Sequence, residues 1–197
     1  MILTIDVGNT RIKAAVFEGN KKISALVFDT VELGSKVKKI LEDFLLIDCM
    51  VISSVGGIDR KSFLVFESRV KVHFVSYEDV FPFANNYGTP QTLGIDRMVL
   101  AAGATLLYPN QNRLVIDAGT CVTYDFVDEN NNYWGGAISP GIRLRYESLH
   151  QFTAKLPLLD KKYPENQIGN STNESIHSGV VNGIVHEIDG FIQEYQS

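Results

Sequence analysis

A short pattern occurs twice in this chain, and the repeat limits the folds open to it. Ile2-Leu3-Thr4-Ile5-Asp6-Val7-Gly8-Asn9-Thr10 returns as Leu114-Val115-Ile116-Asp117-Ala118-Gly119-Thr120-Cys121. In each copy an apolar run ends in Asp-x-Gly, a small polar pair follows, and alternation resumes. It does so through Arg11-Ile12-Lys13-Ala14-Ala15-Val16 in one and Val122-Thr123-Tyr124-Asp125-Phe126 in the other. A buried strand that ends in a carboxylate, turns through glycine and enters a second strand forms a hairpin able to grip phosphate. Glycine lets backbone N–H groups come close to an anion, and a neighbouring hydroxyl or amide adds donors. One such hairpin means little; two at this separation imply a nucleotide clamped between duplicated lobes.

Hydrophobic periodicity extends the pattern. Alternation predicts strands at about 2–6, 11–17 and 22–28, with Glu18-Gly19-Asn20 turning the second into the third. A helix from about Ser35 puts Val37, Ile40, Leu41, Phe44 and Leu45 on one face. Cys49 to Ser53 reads as a buried strand, Ile58 to Arg69 as a helix and Val70 to Val75 as another strand. That order, β-β-β-α-β-α-β, is the order of a ribonuclease-H-like lobe. Ser76 to Leu93, with two prolines and paired asparagines, reads as a long loop joining the lobes, and such loops are usually functional.

Asp96 to Tyr108 is predicted helical, and the second hairpin unit starts at Leu114, turns at 128–132 and returns through Tyr133 to Ile138. Pro140-Gly141 opens a helix to about Thr153, and a Pro-bearing loop covers Leu156 to Gly169. Ser171-Thr172-Asn173-Glu174 has capping-box spacing, and Ile176, Val180, Ile184, Ile188, Phe191 and Tyr195 mark one long last helix. The expected fold is α/β: two ribonuclease-H-like lobes, duplicated βββαβαβ units, flanking a nucleotide cleft. The lobes are residues 1–90, including a substrate loop, and residues 91–197, the second being C-terminally incomplete. A full copy of the first would continue past Ser197 with strand, helix and strand.

Composition closes off other classes. With 197 residues and 45% apolar content the chain can bury a good core. Its net charge of −5 argues against a nucleic-acid surface, which would need clustered Lys and Arg. Phe44 to Val55 is interrupted by Asp48 and too short to span a bilayer, and no basic segment precedes an apolar run at the N-terminus. Cys49 and Cys121 have no motif spacing and read as reduced core thiols of a cytoplasmic protein. Trp134 and the phenylalanines fit core positions better than a stacking platform.

Several residues can carry chemistry. Asp6 at a strand end can hold a hydrated Mg²⁺ that bridges phosphates, because hard cations prefer carboxylate oxygen and keep water. Gly8, Asn9 and Thr10 supply turn donors, and Lys13 can neutralise a terminal phosphate. The bland alternative is a tight turn with Lys13 on the solvent face. Asp117, Gly119 and Thr120 repeat the set: the acid can hold a cation and Thr120 can bond a phosphate oxygen. Neither G-x-x-x-x-G-K-[ST] nor G-x-G-x-x-G occurs. In Gly94-Ile95-Asp96-Arg97, Asp96 is either a helix cap or a carboxylate able to take a proton from a substrate hydroxyl. Arg97 can fork onto a substrate carboxylate or amide oxygen. His73, His150, His177 and His186 lack metal-ligand spacing.

Taken together these stretches resemble the type III pantothenate kinases of the acetate and sugar kinase/Hsp70/actin superfamily. The matching segments are Asp6 to Lys13, Asn86-Tyr87-Gly88-Thr89-Pro90, Gly94 to Arg97, Asp117-Ala118-Gly119-Thr120-Cys121, Gly135-Gly136-Ala137-Ile138-Ser139-Pro140-Gly141 and Gly169-Asn170-Ser171-Thr172, in that order. The resemblance implies ATP-dependent phosphorylation of the pantothenate hydroxyl. By motif, Asp6, Val7, Gly8, Asn9, Thr10, Arg11, Ile12, Lys13 and Thr120 bind ATP, and Asp96 is the proton acceptor. Asp117 holds a monovalent cation, K⁺ or NH₄⁺. Tyr87, Gly94, Ile95, Asp96, Arg97 and Thr172 line the pantothenate pocket. It also implies a homodimer, and a further strand with a Thr-Gly-Gly turn beyond the long helix. The residues alone leave two other readings open: a kinase for another small hydroxylated metabolite such as a sugar, and a catalytically idle regulatory paralogue.

Overall fold

The computed structural model describes residues 1–55 and 58–196; Ser197, where the sequence reading ends its second lobe, lies outside the described residues. The chain divides into two compact units. One is Met1–Pro82 with Gly88–Gly103, the other Phe83–Tyr87 with Ala104–Ser197.

The first unit contains β1 (Ile2–Val7), β2 (Ile12–Glu18), β3 (Lys21–Phe28), α1 (Leu33–Asp43), β4 (Cys49–Ser54), α2 (Lys61–Leu64) and β5 (Lys71–Phe74). Its sheet runs β3-β2-β1-β4-β5. The β1–β2 and β2–β3 pairs are antiparallel, and the β1–β4 and β4–β5 pairs are parallel. Strict alternation drives the core. Leu3, Ile5 and Val7 of β1, Ile12, Ala14 and Val16 of β2, and Met50 and Ile52 of β4 are all buried. Val37, Ile40 and Leu41 of α1 and Phe63 of α2 join the same cluster. Each such aliphatic side chain contributes about 1.5–3 kcal/mol by leaving water. The period of two then sends Thr4 and Asp6 to the opposite face of β1. Gly19 closes the β2–β3 hairpin at φ +56°, a conformation glycine adopts without strain.

Helix α3 (Ile95–Leu107) follows a single 3₁₀ turn at Pro90–Thr92, and the division between the units falls within it. The second unit contains β6 (Ala84–Asn85), β7 (Arg113–Ala118), β8 (Cys121–Val127), β9 (Asn132–Pro140), α4 (Ile142–Gln151), α5 (Thr172–His177) and α6 (Gly183–Gln196). Its sheet runs β6-β9-β8-β7, so β9-β8-β7 repeats the antiparallel half of the first sheet. The short β6 adds a parallel edge on β9, pairing Ala84 with Asn132. Val122 and Tyr124 of β8 and Ile184 of α6 form its core with Leu114, Ile116 and Phe191, and Tyr124 stacks on Phe191 at 4.0 Å. Both units thus show the mixed sheet flanked by helices that the duplicated hairpins imply.

Four local expectations are corrected. The helix expected over Ile58 to Arg69 is α-helical only at Lys61–Leu64 and continues as tight turns, with Phe66 N donating to Phe63 O and Arg69 N to Phe66 O. The last helix is two, joined by a π-helical turn at Ser178–Asn182. The loop at 76–93 is not structureless, because it carries β6. Trp134 is 56% exposed, not core; its indole Nε1 donates to Asp128 Oδ2 at 2.9 Å across the β8–β9 turn. Among the described residues no helix is long and apolar enough to cross a membrane.

Candidate active site

The first hairpin closes its register at Val7 and Ile12, leaving Gly8, Asn9, Thr10 and Arg11 as the turn. Gly8 N donates to Arg11 O at 3.2 Å, and a Cβ at Gly8 would sit 3.1 Å from that oxygen. Val7 and Ile12 point into the core, so only their backbones are available to a ligand, whereas Asn9, Thr10 and Arg11 are exposed. Asp6 pairs across the strands with Lys13, Nζ to Oδ2 3.9 Å, on the face away from the core. Both side chains are well exposed, so in water the pair adds little stability. Its importance lies in placing a cation beside the acid.

The second hairpin closes at Ala118 and Val122 around Gly119, Thr120 and Cys121, one residue fewer than the first. Gly119 N donates to Cys121 O at 2.8 Å, and Thr120 is exposed. Asp117 lies opposite Thr123 rather than a lysine. Its carboxylate is half-buried and makes no hydrogen bond or ion pair among the described residues. The turn is braced from below by Gly141, whose N–H donates to Thr120 O at 3.0 Å. A Cβ there would lie 2.3 Å from Gly119 O and 2.5 Å from Thr120 O. A cavity of about 730 Å³ opens beside Gly119 and Gly141, floored by Val122, Ile184 and Ile188.

Asp96 and Arg97 open α3. Asp96 is half-buried and its Oδ1 accepts from Arg97 N at 2.8 Å. That oxygen lies where a Cβ on Gly94 would be, at 2.4 Å, so the missing side chain makes room for the carboxylate. Ile95 and Arg97 are buried, at 8% and 6% exposure, and Arg97 has partners inside the protein. The guanidinium that the sequence aims at a substrate is thus largely interior.

Tyr87 follows β6, tethered by Asn86 N to Tyr133 O at 2.9 Å and by its own N–H to Asn85 Oδ1 at 3.0 Å. Its ring rests on Gly135, which has φ +98° and whose absent Cβ would lie 2.8 Å from the ring. Thr172 is the first residue of α5, capped by Ser171, whose Oγ accepts from Glu174 N at 3.2 Å. The Glu174 carboxylate turns instead to Lys162 at 3.3 Å. Thr172 lines a second cavity of about 1000 Å³. The first unit therefore holds Asp6 to Lys13 and Gly94 to Arg97; the second holds Tyr87, Asp117, Thr120 and Thr172.

One cluster escaped the sequence reading. Arg145 Nη2 meets Glu187 Oε2 at 2.5 Å and Ser139 Oγ at 2.9 Å, while Arg145 Nε donates to Pro140 O at 2.8 Å. Glu187 also accepts from Ser139 Oγ at 3.0 Å and from Tyr124 OH at 2.9 Å. Burial and then the Glu187 partner push the Tyr124 hydroxyl up to about 12. Burial alone would raise the Glu187 carboxyl, but donors from Arg145, Ser139 and Tyr124 together hold it below its usual range. A carboxyl depressed on folding stabilises the fold above its unfolded pKa, and that stabilisation is lost as pH falls through the folded one. Glu187→Gln is therefore expected to lower Tm at neutral pH, with the gap to the unmodified chain closing as pH drops below the ordinary glutamate range. A gap independent of pH would show that the charge contributes nothing.

Among the described residues no three His, Cys, Asp or Glu side chains gather as a metal cage. Mg²⁺ on a nucleotide needs none, since one or two carboxylates, water and phosphate oxygens complete its shell. Asp6, exposed at a strand end, fits that role, and the lone Asp117 carboxylate fits a cation needing one charged ligand.

The profile of the type III pantothenate kinase family matches residues 2–194. The type III pantothenate kinase of Flavobacterium johnsoniae is 64% identical over 197 residues, all of this chain and 81% of that protein. That of Christiangramia forsetii is 44% identical over 201 aligned positions, again all of this chain and 81% of the relative. A crystal structure of a Campylobacter jejuni protein, described as a Baf family transcriptional activator, superimposes with a TM-score of 0.57 at 21% identity. It covers 95% of this chain and 78% of that one. At that identity the superposition speaks for the fold alone. Both hairpins, the Asp96 segment and Thr172 lie inside the matched span.

Proposed function

The chain belongs to the type III pantothenate kinase family, and we propose that its two acid-and-glycine hairpins and its Asp96 segment serve one phosphoryl transfer. The reaction is ATP-dependent phosphorylation of pantothenate to 4′-phosphopantothenate, the first step towards coenzyme A. Asp96 accepts the proton of the primary hydroxyl as that oxygen attacks the γ-phosphorus, and ADP leaves. Such transfers ask mainly for positioning and charge neutralisation, so a weakly basic, well-oriented carboxylate is sufficient. The backbone of Asp6 to Lys13 and the Thr120 hydroxyl donate to the phosphates, and Lys13 offsets terminal charge. Magnesium held through water by Asp6 would supply further neutralisation of the phosphate oxygens. Asp117 would hold K⁺ or NH₄⁺. Tyr87, Gly94 to Arg97 and Thr172 contact pantothenate, and the working form is a homodimer.

The observation that carries this reading is the ordered set of motifs inside one family match spanning residues 2–194. The test is a coupled assay with ATP, Mg²⁺, pantothenate and either K⁺ or NH₄⁺. ADP and 4′-phosphopantothenate should appear together. ADP release independent of pantothenate, or transfer to a sugar in preference to it, would overturn the assignment. Lys13→Ala is expected to raise the ATP KM and lower kcat/KM by about 10- to 100-fold. An unchanged kcat/KM would return Lys13 to a solvent role opposite Asp6.

A further inference from the structure

Three buried side-chain N or O atoms lack a hydrogen-bond partner among the described residues: Ser53 Oγ, Thr123 Oγ1 and Arg113 Nε. Arg113 donates through its other nitrogens to Thr105 O, Tyr108 O, Asp128 O and Asn131 Oδ1, so its guanidinium is largely satisfied. Both hydroxyls stand in register beside a repeated acid: Ser53 of β4 beside Asp6 of β1, and Thr123 of β8 beside Asp117 of β7. Ser53 is only 7% exposed. A hydroxyl withdrawn from water without a partner destabilises the fold, so its presence beside an acid calls for a use.

We propose that Ser53 is a positioning residue for Asp6: its hydroxyl donates to the Asp6 carboxylate once nucleotide is bound and holds the acid in the orientation that takes hydrated magnesium. The inference rests on the role proposed above for Asp6. Leu3 and Ile5 of β1 and Met50 and Ile52 of β4 face the core, so the pleat sends Asp6 and Ser53 together to the other face. Neighbouring strands lie about 4.8 Å apart, a gap that a serine hydroxyl and an aspartate carboxylate span by side-chain rotation alone. In this structure Asp6 faces Lys13, Nζ to Oδ2 3.9 Å. In the proposed reaction Lys13 offsets terminal phosphate charge, and in turning to the phosphate it leaves the acid. A neutral donor on β4 then keeps the carboxylate oriented while preserving its negative charge for a cation. The pair sits at the carboxyl ends of adjacent parallel strands, the edge at which open α/β sheets take ligands.

The test is calorimetric titration of ATP, with Mg²⁺ and with EDTA in its place, into the unmodified chain, Ser53→Ala, Asp6→Asn and the double variant, with a thermal melt of each. Ser53→Ala should weaken Mg²⁺-ATP binding about tenfold, the low end for a hydrogen bond to a charged group, and leave metal-free ATP within about twofold. Its Tm should stay level or rise by about 2–4 °C, since an unpartnered buried hydroxyl has been removed. In the Asp6→Asn background the same substitution should change Mg²⁺-ATP affinity by less than about twofold, because the hydroxyl acts through the acid. Undiminished Mg²⁺-ATP affinity in Ser53→Ala, an equal loss with EDTA, or full additivity with Asp6→Asn would overturn the proposal. So would a fall in Tm, which would make the hydroxyl structural. Loss in Asp6→Asn with none in Ser53→Ala strikes this proposal alone, whereas Asp6→Asn that keeps its full Mg²⁺ dependence strikes the parent assignment and takes this proposal with it.

Discussion

Asp96→Asn is expected to lower kcat by about a thousandfold, in the middle of the range for removing a general base, while leaving the unfolding transition in place. The two expectations come from the same geometry. Asparagine has the shape of aspartate, and its amide oxygen can still accept from Arg97 N as Oδ1 does at 2.8 Å. It fits the same space over Gly94, so α3 should start unchanged. What is lost is the lone pair able to take the substrate proton. Single-turnover kinetics and a thermal melt on the same preparation check both halves. Retention of more than about a tenth of kcat would remove Asp96 from proton transfer. Equal loss of kcat and stability would make it a structural cap instead.

Gly141→Ala is expected to lower kcat/KM for ATP by about a hundredfold and to destabilise the second unit by roughly 2 kcal/mol. The added methyl would be driven into Gly119 O and Thr120 O, at 2.3 and 2.5 Å. Both are backbone atoms, so no side chain can swing aside. Either the turn bearing Thr120 or the start of α4 must shift, and the Gly141–Thr120 hydrogen bond goes with it. Pantothenate binding should change less, because Thr172 stands at the start of α5 and lines a cavity whose lining does not include Gly141. Titrating ATP and pantothenate separately distinguishes these effects; a variant with the ATP KM of the unmodified chain would mean that the brace under Thr120 is dispensable.

The parts of this molecule legible in its sequence are those written in local pattern. Alternation in β1, β2 and β4 set the face carrying Asp6, since a one-residue slip would have buried the acid and exposed Leu3, Ile5 and Val7. Gly8 marked a turn that is tight enough to need it, since a Cβ there would sit 3.1 Å from Arg11 O, whereas at Gly119 the nearest atom would be 3.8 Å away. Features that depend on distant partners were invisible. Two residues of β6 are too few to show alternation, and its pairing with β9 comes only from tertiary placement. The burial of Ile176, Val180 and Ile184 at four-residue intervals read as one α-helix, although that interval overshoots a 3.6-residue turn. The π-helical turn at Ser178–Asn182 absorbs the drift. Arg145 and Glu187 lie on different helices, so no spacing rule could join them. Trp134 was misplaced because an indole's size suggests the core, whereas its N–H is used by an exposed turn acid.

The two hairpins share an outline but not an electrical character. From Asp6 to Lys13 the first carries one acid against Arg11 and Lys13, a surplus of positive charge; from Asp117 to Thr123 the second carries only its acid. The extra turn residue and the lysine in place of Thr123's counterpart created that imbalance. A polyanion can approach the former unaided but meets repulsion at the latter unless a small positive ion sits there first. On the proposed reading the ionic demand falls on one half of the duplication, and Thr123→Lys should relax it by giving the Asp117 hairpin a counter-charge of its own.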